Sequence, residues 1–400
     1  MKMKILDLNM LLFFPADSGG KAGIYYRIRD LAKENDVCAI IINSEDDIVR
    51  LDKEYNLSDR LKIFINSPVT KPVKKANKYE KILQTVKWFI SGKPRMAAKI
   101  SSKEVREKFT KITNSFKPDI IYLESPFVYE LLDWNKIDRL HTKVVLVVHN
   151  QEVEFFKGAN NWPFIIRNIE IERIKRYEAR IMEFANAVKC VAPEDAHYGQ
   201  SIVGEKCKYI PSHLAKATRR WLPKRINEKY IYYSGALSFN PNLNGLMWFL
   251  ESIYSRYIAK YPDIKLKITG NVSDEIKDKM RKYRQIEFTG YLSDMELEDL
   301  IVNSFFTVIP VLTGGGVKMK MLEAMKYGVP AISTEHVKNG IVSSVSEKVP
   351  FLYTNEVEKF LEYMNMLTEN EDLRIMIGTD ELDYFERVYS SNDNLKKWIG

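Results

Sequence analysis

Cysteine is scarce in this sequence, with only three cysteines among 400 residues. Cys38, Cys190 and Cys207 stand at spacings typical of neither a metal site nor a redox motif. Three scattered thiols also do not make a disulfide framework. We therefore expect buried, reduced thiols, as in a cytoplasmic protein.

Long apolar runs are missing as well. No segment approaches the roughly 20 apolar residues that a membrane-spanning helix needs, so none is expected. The apolar residues 4–13 are interrupted by Asp7 and Asn9 and lack a convincing cleavage site, which favours a first β-strand over a signal peptide. A loop that contains Gly19 and Gly20, and then a helix from Ile24, are expected after this strand. No Asp-x-Asp pair lies on a loop suited to a divalent ion, and the acidic residues 45–47 are more typical of helix capping, so no metal is expected.

Strand-like and helical patterns alternate along the chain. Residues 144–148 form an unbroken apolar run, as expected for a strand buried on both faces of a parallel sheet. This alternation predicts an α/β fold with doubly wound parallel sheets. A chain of 400 residues with 45% hydrophobic content is long enough for two such domains.

The most informative segment is residues 313–334, which read TGGGVKMKMLEAMKYGVPAIST. Three glycines, Gly314, Gly315 and Gly316, follow a predicted strand over residues 305–312 and precede a helical pattern that begins at Val317. They let the backbone approach a ligand closely, and the N–H groups of the first helical turn favour an anion there. Turns of this kind are common in α/β proteins, so the pattern alone leaves phosphate binding and an ordinary turn equally open.

Charged residues follow this glycine loop. Lys318 and Lys320 stand at the start of the helix, where lysine does not favour the helix dipole, so a bound anion explains them better than helix stability does. The alternative is a solvated helix face. Glu323 lies one to two turns further on, where a carboxylate can accept hydrogen bonds from paired hydroxyls. The segment predicts a nucleotide diphosphate at the loop, with its ribose against Glu323.

The block 313–334 resembles the donor-site signature of retaining glycosyltransferases of family 4, which have the two-Rossmann-domain architecture called GT-B. Weaker similarity to that family extends to Ser91-Gly-Lys-Pro94, Tyr209-Ile-Pro-Ser212 and the residues 230–237. The resemblance implies two doubly wound Rossmann-like domains that face each other across a cleft. It implies an acceptor-binding domain over 1–212, a linker over 213–228, a donor-binding domain over 229–379 and a C-terminal helix, 380–400, that returns to the first domain.

The resemblance also assigns roles to individual residues. Tyr291 and Leu292 are the candidate contacts of the nucleotide base. The implied donor-binding residues are Gly19, Gly20, Gly235, Tyr291, Leu292, Gly314, Gly315, Gly316, Val317, Lys318, Lys320 and Glu323.

Two departures from the family pattern bear on the chemistry. Gly315 stands where many members have the first of two glutamates, and Ala236 and Asn244 stand where many have an arginine and a lysine. We expect Lys318, and then Lys320, to neutralise the diphosphate instead. Without the first glutamate as a nucleophile, front-face return is expected: the leaving phosphate oxygen takes the acceptor proton, and neither a metal nor another cofactor is required.

His149 and Asn150 directly follow the strand-like run 144–148. A histidine after a strand is more often a capping or core residue than a catalyst. In the resembled family, however, a His-Asn or His-Asp pair here lies close to the acceptor and the reacting sugar. The resemblance therefore makes His149 a catalytic candidate beside Lys318 and Glu323. His149, Asn150 and Glu194 are the acceptor-binding candidates, although helix capping is the simpler role for Glu194.

The segment 71–117 is strongly basic, with fourteen lysines and arginines against three glutamates, and it includes Trp88, Phe89 and Ile90. Basic segments that carry aromatic residues are attracted to anionic membrane surfaces. A solvated basic face without a partner is an equal alternative. Nucleic acid is a weaker candidate, because no nucleic-acid motif accompanies the charge.

These observations predict a cytoplasmic, peripherally membrane-bound retaining glycosyltransferase. Its donor would be a UDP or GDP sugar and its acceptor a glycan or a lipid-linked glycan. Two rivals remain open: a sugar-nucleotide epimerase or hydrolase of the same architecture, and a non-catalytic, transferase-like subunit that binds glycan or another transferase.

Overall fold

The computed structural model describes residues 2–10, 12–13, 19–41, 60–65, 85–86, 88–100, 102–159, 163–223, 228–270, 272–314, 316–342 and 347–400. The chain forms two compact units. The first comprises Met1–Leu214 and Leu395–Gly400, and the second comprises Ala215–Asn394. Within the described ranges, no helix is both long enough and apolar enough to cross a membrane.

The first unit is built on a seven-stranded sheet whose neighbouring strands are all parallel. Its strands are β1 (Lys4–Asn9), β2 (Asp36–Ile41), β3 (Leu61–Ile65), β4 (Ile120–Leu123), β5 (Lys143–Val148), β6 (Ala187–Cys190) and β7 (Cys207–Tyr209). The order is β3-β2-β1-β4-β5-β6-β7, so the winding reverses between β1 and β4. In open parallel sheets, ligands bind outside the carboxyl ends of the strands at such a reversal.

Helices flank this sheet and bury its apolar side chains. They are α1 (Gly19–Leu31), α2 (Arg95–Lys99), α3 (Lys103–Phe116), α4 (Glu152–Ala159), α5 (Phe164–Phe184) and α6 (Pro193–Val203). All four residues of β4 and the last five of β5 are buried, which explains why both strands are continuous apolar runs.

The second unit contains a six-stranded parallel sheet in the order β10-β9-β8-β11-β12-β13. Its strands are β8 (Tyr230–Ser234), β9 (Lys265–Thr269), β10 (Ile286–Gly290), β11 (Thr307–Ile309), β12 (Ala331–Ser333) and β13 (Leu352–Tyr353). Its helices are α7 (Asn240–Phe249), α8 (Ser255–Lys260), α9 (Asp274–Met280), α10 (Asp294–Val302), α11 (Met319–Tyr327), α12 (Glu335–Asn339), α13 (Val357–Glu369) and α14 (Glu371–Val388). The winding reverses between β8 and β11, the two strands that precede the predicted donor-binding glycines.

The last helix, α15 (Asn392–Ile399), ends in the first unit. Trp398 is 1% exposed there, and the guanidinium of Arg27 lies 4.6 Å from the centre of its ring. Lys189 Nζ donates to the carbonyl oxygens of Lys397, at 2.9 Å, and of Trp398, at 2.5 Å. Burial, together with the charges of neighbouring cations, lowers the pKa of Lys189 to about 7. The end of α15 thus supplies acceptors and an aromatic face to two buried basic side chains.

Several element boundaries differ from the sequence prediction. The strand predicted over 305–312 covers only Thr307–Ile309, because Pro310 has no N–H to donate to the sheet. The helix expected from Val317 begins at Met319, after Lys318 in an extended conformation. The helix expected from Ile24 begins at Gly19, so Gly19 and Gly20 lie in its first turn and not in the preceding loop.

Candidate functional site

The glycine loop between β11 and α11 adopts backbone conformations that glycine favours. Gly314 has φ 100° and Gly316 has φ 73°, both in the left-handed region, while Gly315 lies outside the described residues. Lys318 Nζ donates to the carbonyl oxygens of Gly314, at 2.6 Å, and of Gly316, at 2.8 Å. His336 Nε2 also contacts the Gly314 carbonyl oxygen. Lys318 therefore helps to hold the loop in shape.

Lys320, in the first turn of α11, reaches towards the carboxyl end of β8. Its Nζ lies 2.8 Å from Asn242 Oδ1 and 4.9 Å from the centre of the Tyr233 ring. A Cβ atom added to Gly235, which directly follows β8, would come within 2.9 Å of the same Nζ. Burial and then repulsion from Lys318 lower the pKa of Lys320 to about 7. Ala236 in this turn and Asn244 in α7 replace the basic pair of the resembled family, and the turn receives a basic side chain from α11 instead.

Glu323 lies one turn beyond Lys320, beside the same strand. Ser234 Oγ donates to Glu323 Oε2 at 3.3 Å. Burial raises the pKa of Glu323, although the hydrogen bond from Ser234 and the charges of Lys326 and Lys320 act in the opposite direction. The structure therefore gathers the carboxylate, the cation and the glycine loop around the carboxyl ends of β8 and β11.

Other predicted donor residues lie elsewhere in the second unit. Val317 is part of the loop that leads into α11. Tyr291, which is 77% exposed, and Leu292 follow β10 at one edge of the sheet, and β9 separates that strand from β8. Among the contacts of the described residues, none joins Tyr291 or Leu292 to Lys320 or Glu323. Their predicted contact with a base stays a prediction.

A buried polar network in the first unit surrounds His149, which follows β5. His149 Nε2 lies 2.8 Å from Glu124 Oε2, and the other carboxylate oxygen of Glu124 accepts a 2.5 Å hydrogen bond from Arg27 Nη2. Arg27 Nη2 also donates to Asp7 Oδ2 at 3.1 Å. Arg27, Glu124 and Asp7 are all more than 90% buried. The network lies near the carboxyl ends of β1, β4 and β5, where the winding of the sheet reverses.

The charges in this network determine which ring nitrogen of His149 carries the hydrogen. Burial opposes ionisation of Glu124, but the charge of Arg27 and the hydrogen bond from His149 outweigh it and lower the pKa of Glu124. Burial, followed by repulsion from Glu124, raises the pKa of Asp7 well above its ordinary value. An ionised carboxylate only accepts hydrogen bonds, so Nε2 of His149 carries the hydrogen. In the neutral ring, Nδ1 then carries the lone pair.

Sequence reasoning missed Arg27 and Glu124, and it treated Asp7 only as an interruption of an apolar strand. The signal was present, because Glu124 directly follows the apolar residues of β4 and Asp7 lies near the end of β1. A carboxylate at the end of a buried strand indicates a nearby partner, since an unpaired buried charge is strongly unfavourable.

The remaining candidates of the first unit lie near the residues that follow β5. Asp195 Oδ1, in the first turn of α6, accepts from the backbone N of Gln151 at 3.3 Å. Glu194 precedes it, and among the described residues its Oε1 is buried without a hydrogen-bond partner. Asn150 is partly buried beside His149. The structure thus joins the start of α6 to the His149 region through Asp195, a residue the sequence analysis did not select.

Neighbouring glutamates in the same region carry raised pKa values. Ser125 Oγ donates to Glu152 Oε1 at 3.1 Å, and Glu178 Oε1 accepts from the backbone N of Glu152 at 3.1 Å. Burial raises the pKa of Glu152 to about 7 and that of Glu178 to about 8. Within the described part of the chain, no three His, Cys, Asp or Glu side chains are arranged to hold a metal ion.

Comparisons with known proteins agree with this architecture. Anabaena Alr3699/HepE, solved in complex with UDP and glucose, superposes with a TM-score of 0.67 at 12% identity, over 99% of this chain and 98% of that one. Sucrose-phosphate synthase from Thermosynechococcus elongatus superposes with a TM-score of 0.70 at 13% identity, over 99% and 97%. An uncharacterised 44.6 kDa protein in the cps region of Klebsiella pneumoniae is 22% identical in an alignment 400 residues long, which covers 97% of each chain.

The two parallel sheets and these superpositions define a GT-B fold, which confirms the predicted fold class. Residues 228–370 match the sequence model of the family described as group 1 glycosyl transferases. This match over part of the second unit agrees with the resemblance of residues 313–334 to the retaining glycosyltransferases of family 4.

Proposed function

We propose that this chain transfers a sugar, with retention of configuration, from a UDP-type nucleotide sugar to a glycan or lipid-linked glycan of a capsule-type polysaccharide. The observation that carries the proposal is Lys320, whose ammonium group lies at the glycine turn after β8 and within one helical turn of Glu323. HepE was solved with UDP, which supports uracil as the base of the proposed donor. The Klebsiella relative belongs to a cps region, which supports a polysaccharide as the proposed product. The reaction is assigned to the cytoplasmic side of the membrane.

The residues of the second unit stabilise the departing diphosphate in this proposal. Glu323 accepts hydrogen bonds from the ribose hydroxyls, and Lys320 with the N-terminus of α11 stabilises the charge that develops on the phosphate oxygen. Glycine at position 315 provides no carboxylate nucleophile. The acceptor oxygen therefore bonds to the anomeric carbon on the face that the diphosphate leaves, and the leaving phosphate oxygen takes the acceptor proton. This account needs no metal.

We propose for Lys318 a different role from the one expected from the sequence. Its Nζ is bonded to two carbonyl oxygens of the glycine loop, so we assign it to shaping that loop and Lys320 to neutralising the diphosphate. His149, with Asn150 and Glu194, is assigned to acceptor binding. The Nδ1 lone pair of His149, fixed by the hydrogen bond of Nε2 to Glu124, accepts a sugar hydroxyl hydrogen.

The test is titration calorimetry with UDP, GDP, ADP and CMP on the wild type and on Glu323→Gln. We expect one diphosphate, UDP, to bind, and the variant to lose about 1–3 kcal/mol of binding free energy, as for lost hydrogen bonds to a charged acceptor. Glu275→Gln, at a surface position of α9, serves as the matched control and should bind as the wild type does. Absence of binding for all four nucleotides would refute the donor assignment.

A second readout separates transfer from the rival activities. UDP release from the UDP-sugar should depend on an added glycan acceptor. Release at the same rate without acceptor would identify a hydrolase, and interconversion of the nucleotide sugar would identify an epimerase.

A further inference from the structure

The short helical stretch before α2 presents apolar side chains to solvent. Residues 85–86 and 88–91 are helical, and Val86, Phe89 and Ile90 stand at positions i, i+3 and i+4, which share one helix face. These three side chains are 47%, 58% and 78% exposed. Trp88, in contrast, is only 6% exposed. An apolar helix face normally packs against a core, so an exposed one indicates a surface for a partner.

This stretch is fixed firmly to α5. Trp88 Nε1 donates to Glu170 Oε2 at 3.0 Å, and the backbone N of Arg95 donates to Glu170 Oε1 at 2.6 Å. Arg173 donates to the carbonyl oxygens of Trp88, at 3.0 Å, and of Phe89, at 2.8 Å. Its guanidinium lies 4.7 Å from the centre of the Trp88 ring. Two buried or half-buried charged residues of α5 therefore hold the backbone so that Phe89 and Ile90 point outwards.

The surroundings of the exposed residues are basic. Residues 85–103 contain no aspartate or glutamate and five basic residues: Lys87, Lys93, Arg95, Lys99 and Lys103. Arg95 and Lys99 lie close enough for Arg95 to contribute to a lowered pKa of Lys99, after the larger effect of burial. Lys93 pairs with Glu130 at 2.8 Å, but Arg106 shares that glutamate. Met96, 49% exposed in α2, extends the apolar area among these cations.

We propose that Val86, Phe89, Ile90 and Met96, with the lysines and arginines around them, are the surface by which the first unit binds an anionic lipid bilayer. Apolar side chains of this kind enter the boundary between head groups and acyl chains, while the basic side chains stay among the anionic head groups. The proposal narrows the basic segment 71–117 to residues 86–99. It does not depend on the donor assignment, because every residue involved belongs to the first unit.

The composition of this surface argues against other occupants. A second copy of the chain would bring the same basic segment, residues 85–103, against itself, and like charges that meet across a symmetric interface repel. The cores of protein interfaces are depleted in lysine. Single-stranded nucleic acid stacks on aromatic rings and leaves no role for exposed aliphatic side chains such as Val86 and Ile90.

The test is co-sedimentation of the full chain with vesicles rich in phosphatidylglycerol and with vesicles of pure phosphatidylcholine. We expect binding to the anionic vesicles alone, with weaker binding at high salt because salt screens the head-group charge. The double variant Phe89→Ser, Ile90→Ser should bind them about tenfold more weakly or worse. Leu140→Ser, which changes a side chain 94% exposed in the same unit, is the control and should bind as the wild type does.

The proposal would be overturned if the wild type did not bind anionic vesicles, or if the double variant bound them equally well. It would also be overturned if sedimentation velocity showed a dimer of the wild type and a monomer of the double variant. Thermal unfolding should confirm that both variants fold. UDP titration of the three proteins keeps the two proposals apart. Failure of lipid binding with UDP binding intact rejects only this surface, and the reverse result rejects only the donor site.

Discussion

Lys320 places a basic side chain at the turn after β8, although it belongs to α11 and not to the segment that follows that strand. Ala236, in the turn after β8, and Asn244, in α7, stand where many members of the resembled family carry a basic pair, yet the Lys320 ammonium lies beside Gly235 in that turn. Gly235 makes the approach possible, since a side chain there would displace the lysine. The turn after β8 therefore has a basic side chain beside it even without that pair.

The depressed pKa of Lys320 makes UDP binding dependent on pH. Lys320 titrates at about 7 in the unliganded protein, because burial and Lys318 disfavour its charge, whereas a bound diphosphate favours the charged form. Above about pH 7 the protein must therefore take up a proton on binding, and the affinity should fall by up to about tenfold per pH unit. Calorimetry in buffers of different ionisation heat measures that proton uptake directly.

Lys320→Arg provides the matched variant for this prediction. Arginine stays charged throughout this range, so its UDP affinity should not fall above about pH 7. An unchanged pH profile in Lys320→Arg would show that another group is responsible.

Residue patterns predicted part of the site and not the rest. The glycine loop and Glu323 could be selected as candidates, because close backbone approach and the proposed ribose binding require those residue types at those spacings. The contact between Glu124 and His149 was not, since it depends on the pairing of β4 with β5 and on Arg27 from α1. The orientation of Lys318 towards its own loop also depends on backbone geometry that the sequence does not specify.

At the scale of elements, α11 is positioned by its contact with α14. Gly328 ends α11 with φ 72°, and Gly378 of α14 packs so closely that an added Cβ atom would overlap the Gly328 carbonyl oxygen. The absence of a side chain at position 378 thus sets the distance between the two helices. Since α11 carries Lys320 and Glu323, that contact also fixes the position of these two side chains in the proposed donor site.

We therefore expect Gly378→Ala to lower both stability and UDP affinity. Overpacking of this kind destabilises by about 1–3 kcal/mol, partly offset by the better helix propensity of alanine. Thr379→Ala, at the next and exposed position of α14, is the control and should leave both unchanged. Chemical denaturation and UDP titration measure the two effects. If Gly378→Ala loses stability but binds UDP normally, α11 is not positioned by this contact.

Sequence reasoning predicted the elements better than their ends. Apolar runs and helical periodicity gave the two parallel sheets, because burial on both faces leaves a clear pattern. The ends depend on single residues, such as Pro310 for β11 and the extended Lys318 before α11. Helix α1 likewise differs from its apolar pattern, since it begins at Gly19 and the pattern begins at Ile24.

At the scale of the whole molecule, the chain leaves the first unit at Leu214 and returns to it at Leu395. The returning segment fills a structural role, since Trp398 covers Arg27 and its carbonyl oxygen accepts from Lys189. Arg27 in turn pairs with Glu124, which binds His149. The last helix is thus connected, through three contacts, to the candidate acceptor site.

Trp398→Ala should destabilise the first unit by about 3–5 kcal/mol, as for other truncations of buried tryptophan. Calorimetry should show a lower unfolding temperature for that unit, while UDP binding by the second unit stays as in the wild type. Lys397→Ala, exposed on the same helix, is the control. An unchanged unfolding temperature in Trp398→Ala would show that the segment is not needed for the stability of the first unit.

The return of the chain also sets an order of events during synthesis on the ribosome. The first unit cannot acquire Leu395–Gly400 until all of Ala215–Asn394 has been translated. At roughly 5–20 residues per second, this delay is on the order of 10 to 40 seconds. Throughout that time Arg27 and Lys189 lack the aromatic face and the carbonyl oxygens of α15. The second unit, which is contiguous in the chain, can therefore complete its contacts before the first, which depends on a segment that is translated after it.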